Sequence, residues 1–306
     1  MAHVRSNHQS FQTAGTQLIN WDAPGYKLYE KAKKFGGWDP KSIDFSQDKV
    51  DFQKLNDAER EMICLLVSQF AAGEEAVTLD ILPMIAAMSR QGRLEDTMYL
   101  TTFVYEEAKH TELFARWREE VGMLEDLTKY HNENYRKIFY EKLPEAMDRL
   151  YTDDSSAAII RAATIYHMIV EGLLAESGYH SFRQAFESKG VCPGILKAVD
   201  YLNRDEGRHI GFGTYTIQRL ITEDEKNYDV FMETMDELLP LALGVIQDTM
   251  PYAENEDGEK VFGIDWSMMI DYGLKQYQLR EMTVSRAKKS TISDVEKEAI
   301  EMSEAN

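Results

Sequence analysis

The sequence predicts an all-α protein, and three observations carry that prediction. Among 306 residues there are only 18 Gly and 7 Pro, too few for the many turns of an all-β chain. Hydrophobic residues make up 43% and aromatic ones 11%, more than a disordered chain carries. Long stretches also place their apolar residues at alternating steps of three and four, the period of one helix face. A chain of this length buries about three quarters of its unfolded surface, so a substantial core is expected.

Each element follows from local signals. After a polar arm, 26–35 reads as a short helix stopped by Gly36 and Gly37, and Trp38-Asp39-Pro40 reads as irregular. Asn56 or Asp57 can cap a helix running to about Gln91, with a kink at Pro83 and a stop at Gly92. From Arg93 to about Glu120 a second long helix carries Tyr99, Phe103, Glu107, His110, Phe114, Trp117 and Val121 on one face. Residues 122–152 read as two shorter helices, with Pro144 breaking the pattern. Ser155 can cap a third long helix that passes through Tyr166 and Glu171 toward Glu187 and stops before Gly190 and Pro193. A fourth, about 193–221, aligns Leu196, Val199, Leu202, Glu206, His209, Gly213 and Ile217. Helices at about 224–250, with Pro240 inside, and 265–289 precede an acidic tail expected to be solvated or frayed. No low-complexity linker interrupts the chain. The expectation is a single domain over 1–306, with its core at about 26–289 and with 1–20 and 290–306 peripheral or mobile.

Charge excludes some functions. With 34 Lys+Arg against 53 Asp+Glu the net charge is −19, which repels phosphate backbones, so no nucleic acid partner is expected. The two cysteines, Cys64 and Cys192, cannot build a disulfide framework and suit a reducing cytoplasm. The polar start has no signal-peptide core, and no run approaches 18 uncharged apolar residues, so no transmembrane segment and a soluble, unexported protein are expected.

The chemistry lies in acids on apolar faces. Glu74 aligns with Leu66, Phe70, Val77 and Ile81, whereas its rival Glu75 aligns with Ala71, Leu79 and Leu82. On the second helix Glu107 aligns with Phe103, His110 and Phe114, and Glu106 with Thr102 and Lys109; Glu107 is therefore expected to face inward. An unpaired buried carboxylate costs several kcal/mol, so inward acids must be protonated, paired with cations or bound to metal. A Glu and a His three apart reach one ion. Two such pairs plus a lone Glu from each remaining helix build a dinuclear carboxylate site in four-helix bundles. Glu107-x-x-His110 and Glu206-x-x-His209 are the pairs, and Glu74 and Glu171 are the lone acids. Chance yields roughly 0.7 Glu-x-x-His matches in a chain of this composition, so one would mean little. Two, each preceded by a lone Glu at a spacing of 33 and 35 residues, imply two helix pairs facing a shared site. His3, His8, His131, His167 and His180 lack that spacing and read as core or surface residues.

The order Glu, Glu-x-x-His, Glu, Asp-Glu-x-x-His over about 26–285 resembles the small subunit of ribonucleotide reductase, in the ferritin-like superfamily. The resemblance implies a ferritin-like four-helix bundle core with additional helices. It also implies a hydrogen-bonded chain joining Trp38, Asp205 and the metal-bound His110. The family's radical Tyr would fall at Phe114, which has no oxidisable hydroxyl, and no Tyr follows Tyr277 to relay to a catalytic subunit. The sequence is therefore closer to the ligand-binding oxidase branch, which uses a manganese/iron pair and binds a long-chain fatty acid beside it. That branch links a Val three residues after the first ligand Glu to a Tyr five residues before the third; Val77 and Tyr166 occupy those places.

By this resemblance Glu74, Glu107 and His110 hold manganese, Glu171, Glu206 and His209 hold iron, with di-iron as the alternative, and Glu107 bridges. The implied enzyme is a homodimeric, dioxygen-dependent oxidase performing two-electron C–H oxidation, with an unknown electron donor. Tyr179 could hydrogen-bond a ligand carboxylate. The rivals are a ribonucleotide reductase small subunit, a ferritin-like store, and a hydrocarbon monooxygenase or acyl desaturase.

Overall fold

The computed structural model describes residues 10–305; His3 and His8 lie outside the described residues. Among the described residues there is no strand, only an isolated antiparallel bridge between Glu254 and Lys260. The helices in chain order are α1 (Pro24–Phe35), α2 (Ser46–Lys54), α3 (Asp57–Asp80), α4 (Leu82–Arg90), α5 (Leu94–Val121), α6 (Glu133–Arg136), α7 (Leu143–Arg149), α8 (Ser156–Ala163), α9 (Glu176–Lys189), α10 (Pro193–Glu223), α11 (Asn227–Gln247), α12 (Met268–Ser285) and α13 (Ile292–Ala305).

Four long rods form the core: α3, α5, α10 and the continuous helix built from α8, a π-helical stretch Thr164–Ala175 and α9. Their ends follow local chemistry. Asn56 and Glu59 close a reciprocal capping box on α3, and Ser155 Oγ accepts from the Ala158 amide at the start of α8. Gly122 (φ 81°) and Gly190 (φ 64°) end α5 and α9 in the left-handed region. The kink expected at Pro83 is a break between α3 and α4 at Ile81, with Pro83 in the first turn of α4.

Three expectations need correction. Pro144 does not separate two helices; it follows a π-helical turn, Lys137–Lys142, that connects α6 to α7. The third long helix carries twelve π-helical residues that no residue type announces. The acidic tail is a helix, α13, docked on α10 through Val295 and Ala299, which are buried against Tyr215.

Two helical runs of 34 residues, Asp57–Arg90 and Ser156–Lys189, are long and apolar enough to cross a membrane. Both are core helices, since their apolar windows are 61% and 83% buried and each carries a buried carboxylate, Glu74 and Glu171.

Two contacts set how the rods lie. The fully buried Asp48 of α2 accepts from the Gly194 and Ile195 amides at the start of α10, each at 2.8 Å, and from Trp117 Nε1 of α5 at 2.8 Å. It thus fixes one Glu-x-x-His helix against the other. Gly213 of α10 lets that helix close on the π-helical stretch: an added Cβ would lie 2.2 Å from His167 Cβ. Gly213→Ala is therefore expected to destabilise by about 1–3 kcal/mol through overpacking. Gly211→Ala, where nothing lies within 4 Å, should instead stabilise by about 0.5–1 kcal/mol through helix propensity. Chemical denaturation of the two variants reads both signs.

Candidate metal centre

Six side chains converge inside the four rods: Glu74 from α3, Glu107 and His110 from α5, Glu171 from the π-helical stretch, and Glu206 and His209 from α10. None is more than 5% exposed. Their ligand atoms form two groups, each within 4.8 Å: Glu74, Glu107, His110 and Glu206, and Glu107, Glu171, Glu206 and His209. Glu107 thus faces both groups, and so does Glu206, which the sequence placed in only one.

The atoms face a common space rather than one another. His110 Nδ1 and His209 Nδ1 lie 3.0–3.6 Å from the surrounding carboxylate oxygens. Neither nitrogen makes a hydrogen bond, nor does either oxygen of Glu107, Glu171 Oε1 or Glu206 Oε2. Six unpaired, fully buried polar atoms in one place are costly unless something binds them. Titration points the same way. Burial pushes Glu74 up to about 7, and burial with the charge of Glu206 holds Glu171 well above the carboxylate range. Against burial, Glu74 raises His110 and Glu107 raises His209. Against burial, the charge of His209 holds Glu107 down at about 2, so protons shared among these acids and imidazoles stand where metal cations would. Hard oxygen donors with two imidazoles fit divalent manganese or iron.

An outer set orients the two histidines in mirrored fashion. His110 Nε2 lies 3.3 Å from Asp205 Oδ2, and His209 Nε2 lies 3.0 Å from Glu106 Oε2. Each acid immediately precedes the Glu of the opposite pair. Trp38 Nε1 donates to Asp205 Oδ2 at 2.8 Å and its ring stacks toward His110, so Trp38, Asp205 and His110 form one chain. Two buried cations complete the set: Arg208 bonds Glu106 Oε1 at 2.6 Å and also Asp205, and Lys109 lies 3.2 Å from Asp205. Two outer acids face two cations, so this ring is neutral by itself and supplies nothing to the four inner carboxylates.

Around these lie the other residues the sequence singled out. Tyr179 OH is 3.2 Å from Glu74 Oε1 and 3.1 Å from Glu206 Oε1, donating its one proton to either. Tyr166 OH donates to the Val77 carbonyl oxygen at 2.9 Å. Phe114 is fully buried and stacks on Phe70 at 5.2 Å. A cavity of about 80 Å³ opens beside the acids, reaching Glu74, Val77, Glu107, Glu171 and Glu206 at one part and Leu66, Phe139 and Met269 elsewhere.

The family profile described as ribonucleotide reductase, small chain, matches residues 22–273. The chain belongs to that family. It is 51% identical to a solved structure of R2-like ligand-binding oxidase with aerobically reconstituted Mn/Fe cofactor, covering 90% of this chain and 98% of that one at a TM-score of 0.87. A valine-to-isoleucine variant of the same oxidase gives 51% identity, 90% and 99% coverage and a TM-score of 0.87. Within the small-chain family this chain is therefore a member of the R2-like ligand-binding oxidases, which are dioxygen-dependent oxidoreductases.

Four residues of this small-chain site escaped the sequence reading: the cations Lys109 and Arg208, and Glu106 and His167. Glu106, expected to lie off the inward face, is 1% exposed and holds His209. The signal was present: an acid precedes the Glu of both motifs, Glu106-Glu107-x-x-His110 and Asp205-Glu206-x-x-His209. His167, read as a plain core or surface histidine, is fully buried with Nδ1 2.8 Å from Glu171 Oε2, and burial drops its pKa to about 3. As a neutral ring it fixes Glu171 without contributing charge. His131, read as a core or surface residue, is buried and stacks on Tyr135 at 4.6 Å, while His180 stacks on Tyr272 at 4.2 Å.

Proposed function

We propose that this oxidase holds one manganese and one iron ion. In this reading Glu74, Glu107 and His110 would hold the first, and Glu171, Glu206 and His209 would hold the second. The observation that carries the reading is the set of six buried, unpaired donor atoms enclosed by an electrically neutral outer ring. Four carboxylates and two neutral imidazoles balance two divalent cations, whereas the outer acids are already matched by Lys109 and Arg208. When bound, the metal pair supplies the reduction of dioxygen to two waters, two of the four electrons coming from the ions and two from the C–H bond being oxidised.

The protein's own groups prepare that chemistry. Burial and the nearby carboxylates, Glu107 first, hold the Tyr166 phenol protonated well above its ordinary range. Tyr166 and Val77 are the proposed internal partners: the Tyr O–H and Val Cβ–H bonds break, a Cβ–O ether forms, and two protons and two electrons leave. Tyr179 anchors Glu74 or Glu206 through one hydrogen bond, leaving the other oxygens of those groups to the metals. The apolar rods exclude water. The cavity beside the acids supports a long-chain fatty acid whose carboxylate approaches the metals while its chain lies along Leu66, Phe70, Val170 and Ile246. Phe114, where a tyrosine could be oxidised to a radical, supports oxidation of a bound group rather than storage of a hole for a reductase partner.

The reading includes a homodimer and a cytoplasmic setting. The second is supported by two buried thiols that form no disulfide. The deciding experiment is anomalous diffraction at the manganese and iron edges from crystals of protein loaded in air. One peak of each metal is expected, manganese beside His110 and iron beside His209. Two iron peaks from protein offered both metals would overturn the assignment, and no peak would remove the site.

A further inference from the structure

The cavity beside the inner carboxylates is not uniformly apolar. α3 and the Ser156–Lys189 helix run antiparallel along it: Tyr166 meets Val77, while Tyr179 and Phe182 meet Phe70. Gln69 and Ser177 therefore lie at one level of the bundle, beyond the carboxylates and away from Val77. Gln69 precedes Glu74 by five residues and Ser177 follows Glu171 by six, so helical rise puts both roughly 7–9 Å from the carboxylate level. Both line the cavity. Gln69 Nε2 and Ser177 Oγ are buried there without a hydrogen-bond partner, and Ser177 is only 3% exposed.

Their neighbours strengthen the polarity of this end. Ser181 and Thr249 also line it; each hydroxyl donates to a backbone carbonyl, of Ser177 at 2.9 Å and Ile246 at 2.7 Å, and retains lone pairs to accept with. A saturated, unsubstituted chain laid across this level would leave the Gln69 amide and the Ser177 hydroxyl dry and unpaired. Sites with buried polar groups discriminate strongly against a ligand that lacks the matching atom, because the orphaned group carries the penalty.

We propose that the ligand is a long-chain fatty acid with an oxygen function within its chain, a hydroxyl or keto group, held by Ser177 and Gln69. This rests on the reading of the cavity as a fatty-acid site. Ser177 can donate to either function. The Gln69 amide presents N–H or, turned over, its oxygen, so it serves as donor to a keto oxygen or as acceptor from a hydroxyl. The oxygen falls several carbons from the carboxyl end, at the distance set by the two helices.

The test is competition, on manganese/iron-loaded protein stripped of endogenous lipid, between a fluorescent fatty acid and two sets of probes. One is hexadecanoic acid; the other is hydroxyhexadecanoic acids with the hydroxyl at successive carbons. One positional isomer is expected to bind about tenfold or more tightly than hexadecanoic acid, and Ser177→Ala and Gln69→Leu should each erase most of that preference while leaving hexadecanoic acid bound. Equal affinity for all probes, or a preference unchanged in both variants, overturns the proposal and leaves the fatty-acid reading standing. Displacement by none of them overturns that reading as well.

Discussion

Loading the protein with manganese and iron in air is expected to lower its mass by two hydrogens and to leave Val77 and Tyr166 on one joined peptide after digestion. Tyr166→Phe is expected to abolish both. The geometry favours an all-or-none effect. Tyr166 is fully buried, and its phenol already donates to the backbone oxygen of Val77 at 2.9 Å. Such fixed placement turns an encounter into an intramolecular step, worth effective molarities of about 10⁵–10⁸ M when the reacting atoms are well aligned. Val77 offers a tertiary Cβ–H, the weakest kind of aliphatic C–H bond, in a cavity it shares with Glu74, Glu107, Glu171 and Glu206. Tyr166→Phe removes one buried hydrogen bond at constant shape and should cost only about 1 kcal/mol of stability. Loss of the joined peptide therefore reports chemistry rather than unfolding. Anaerobic loading is the control and should leave the mass unchanged. Separate Val77 and Tyr166 peptides after complete metal loading in air would defeat the crosslink and weaken the case against a reductase subunit.

How far the sequence reached depends on how each helix is surrounded. Periodicity separates Glu74 from Glu75 on α3 only weakly, since both align with apolar residues, though it leans the way the fold goes: Glu74 is buried and Glu75 exposed. It fails for α5, which is covered on more than one side: Glu106 and Lys109, placed by periodicity on another face from Glu107, are buried there with Arg208 and Asp205. The repeated acid before each Glu-x-x-His was the better signal, because it encodes an orienting partner for the opposite histidine. The π-helical stretch was illegible for a different reason. It arises from a shift in backbone hydrogen bonding that no side chain specifies, yet it changes which residues share a face. Tyr166 and Glu171 are five apart and diverge on an α-helix, but a π turn, bonded i to i+5, brings such residues onto one side. This is how the Tyr166 phenol and the Glu171 carboxylate both face the centre.

The neutral outer ring makes Arg208 the residue whose loss should be felt most widely. It is 2% exposed and is shared between Glu106 and Asp205. Of the two outer acids Lys109 reaches Asp205 alone, at 3.2 Å, its other hydrogen-bond partner being the Gly36 carbonyl oxygen. Replacing Arg208 with Met, which fills a similar volume, leaves Glu106 with no cation and only the His209 ring as a donor. Breaking a buried ion pair in this way costs about 3–5 kcal/mol, which for a chain of this size corresponds to a fall in Tm of roughly 5–8 °C. The second consequence is at the metals. An uncompensated Glu106 favours the doubly protonated His209, and an imidazolium cannot ligate, so metal affinity should fall about 10–100-fold. Calorimetry and metal titration of Arg208→Met measure the two effects separately. The charge argument makes a sharper demand on the double variant Arg208→Met/Glu106→Gln. Removing the acid together with its cation should restore most of the stability, since no buried charge is left alone, while His209 keeps a carbonyl oxygen to hold its Nε2–H. A double variant as unstable as Arg208→Met would show that Arg208 acts through packing, and the electrical neutrality of the outer ring would then no longer explain why the four inner carboxylates are reserved for metal.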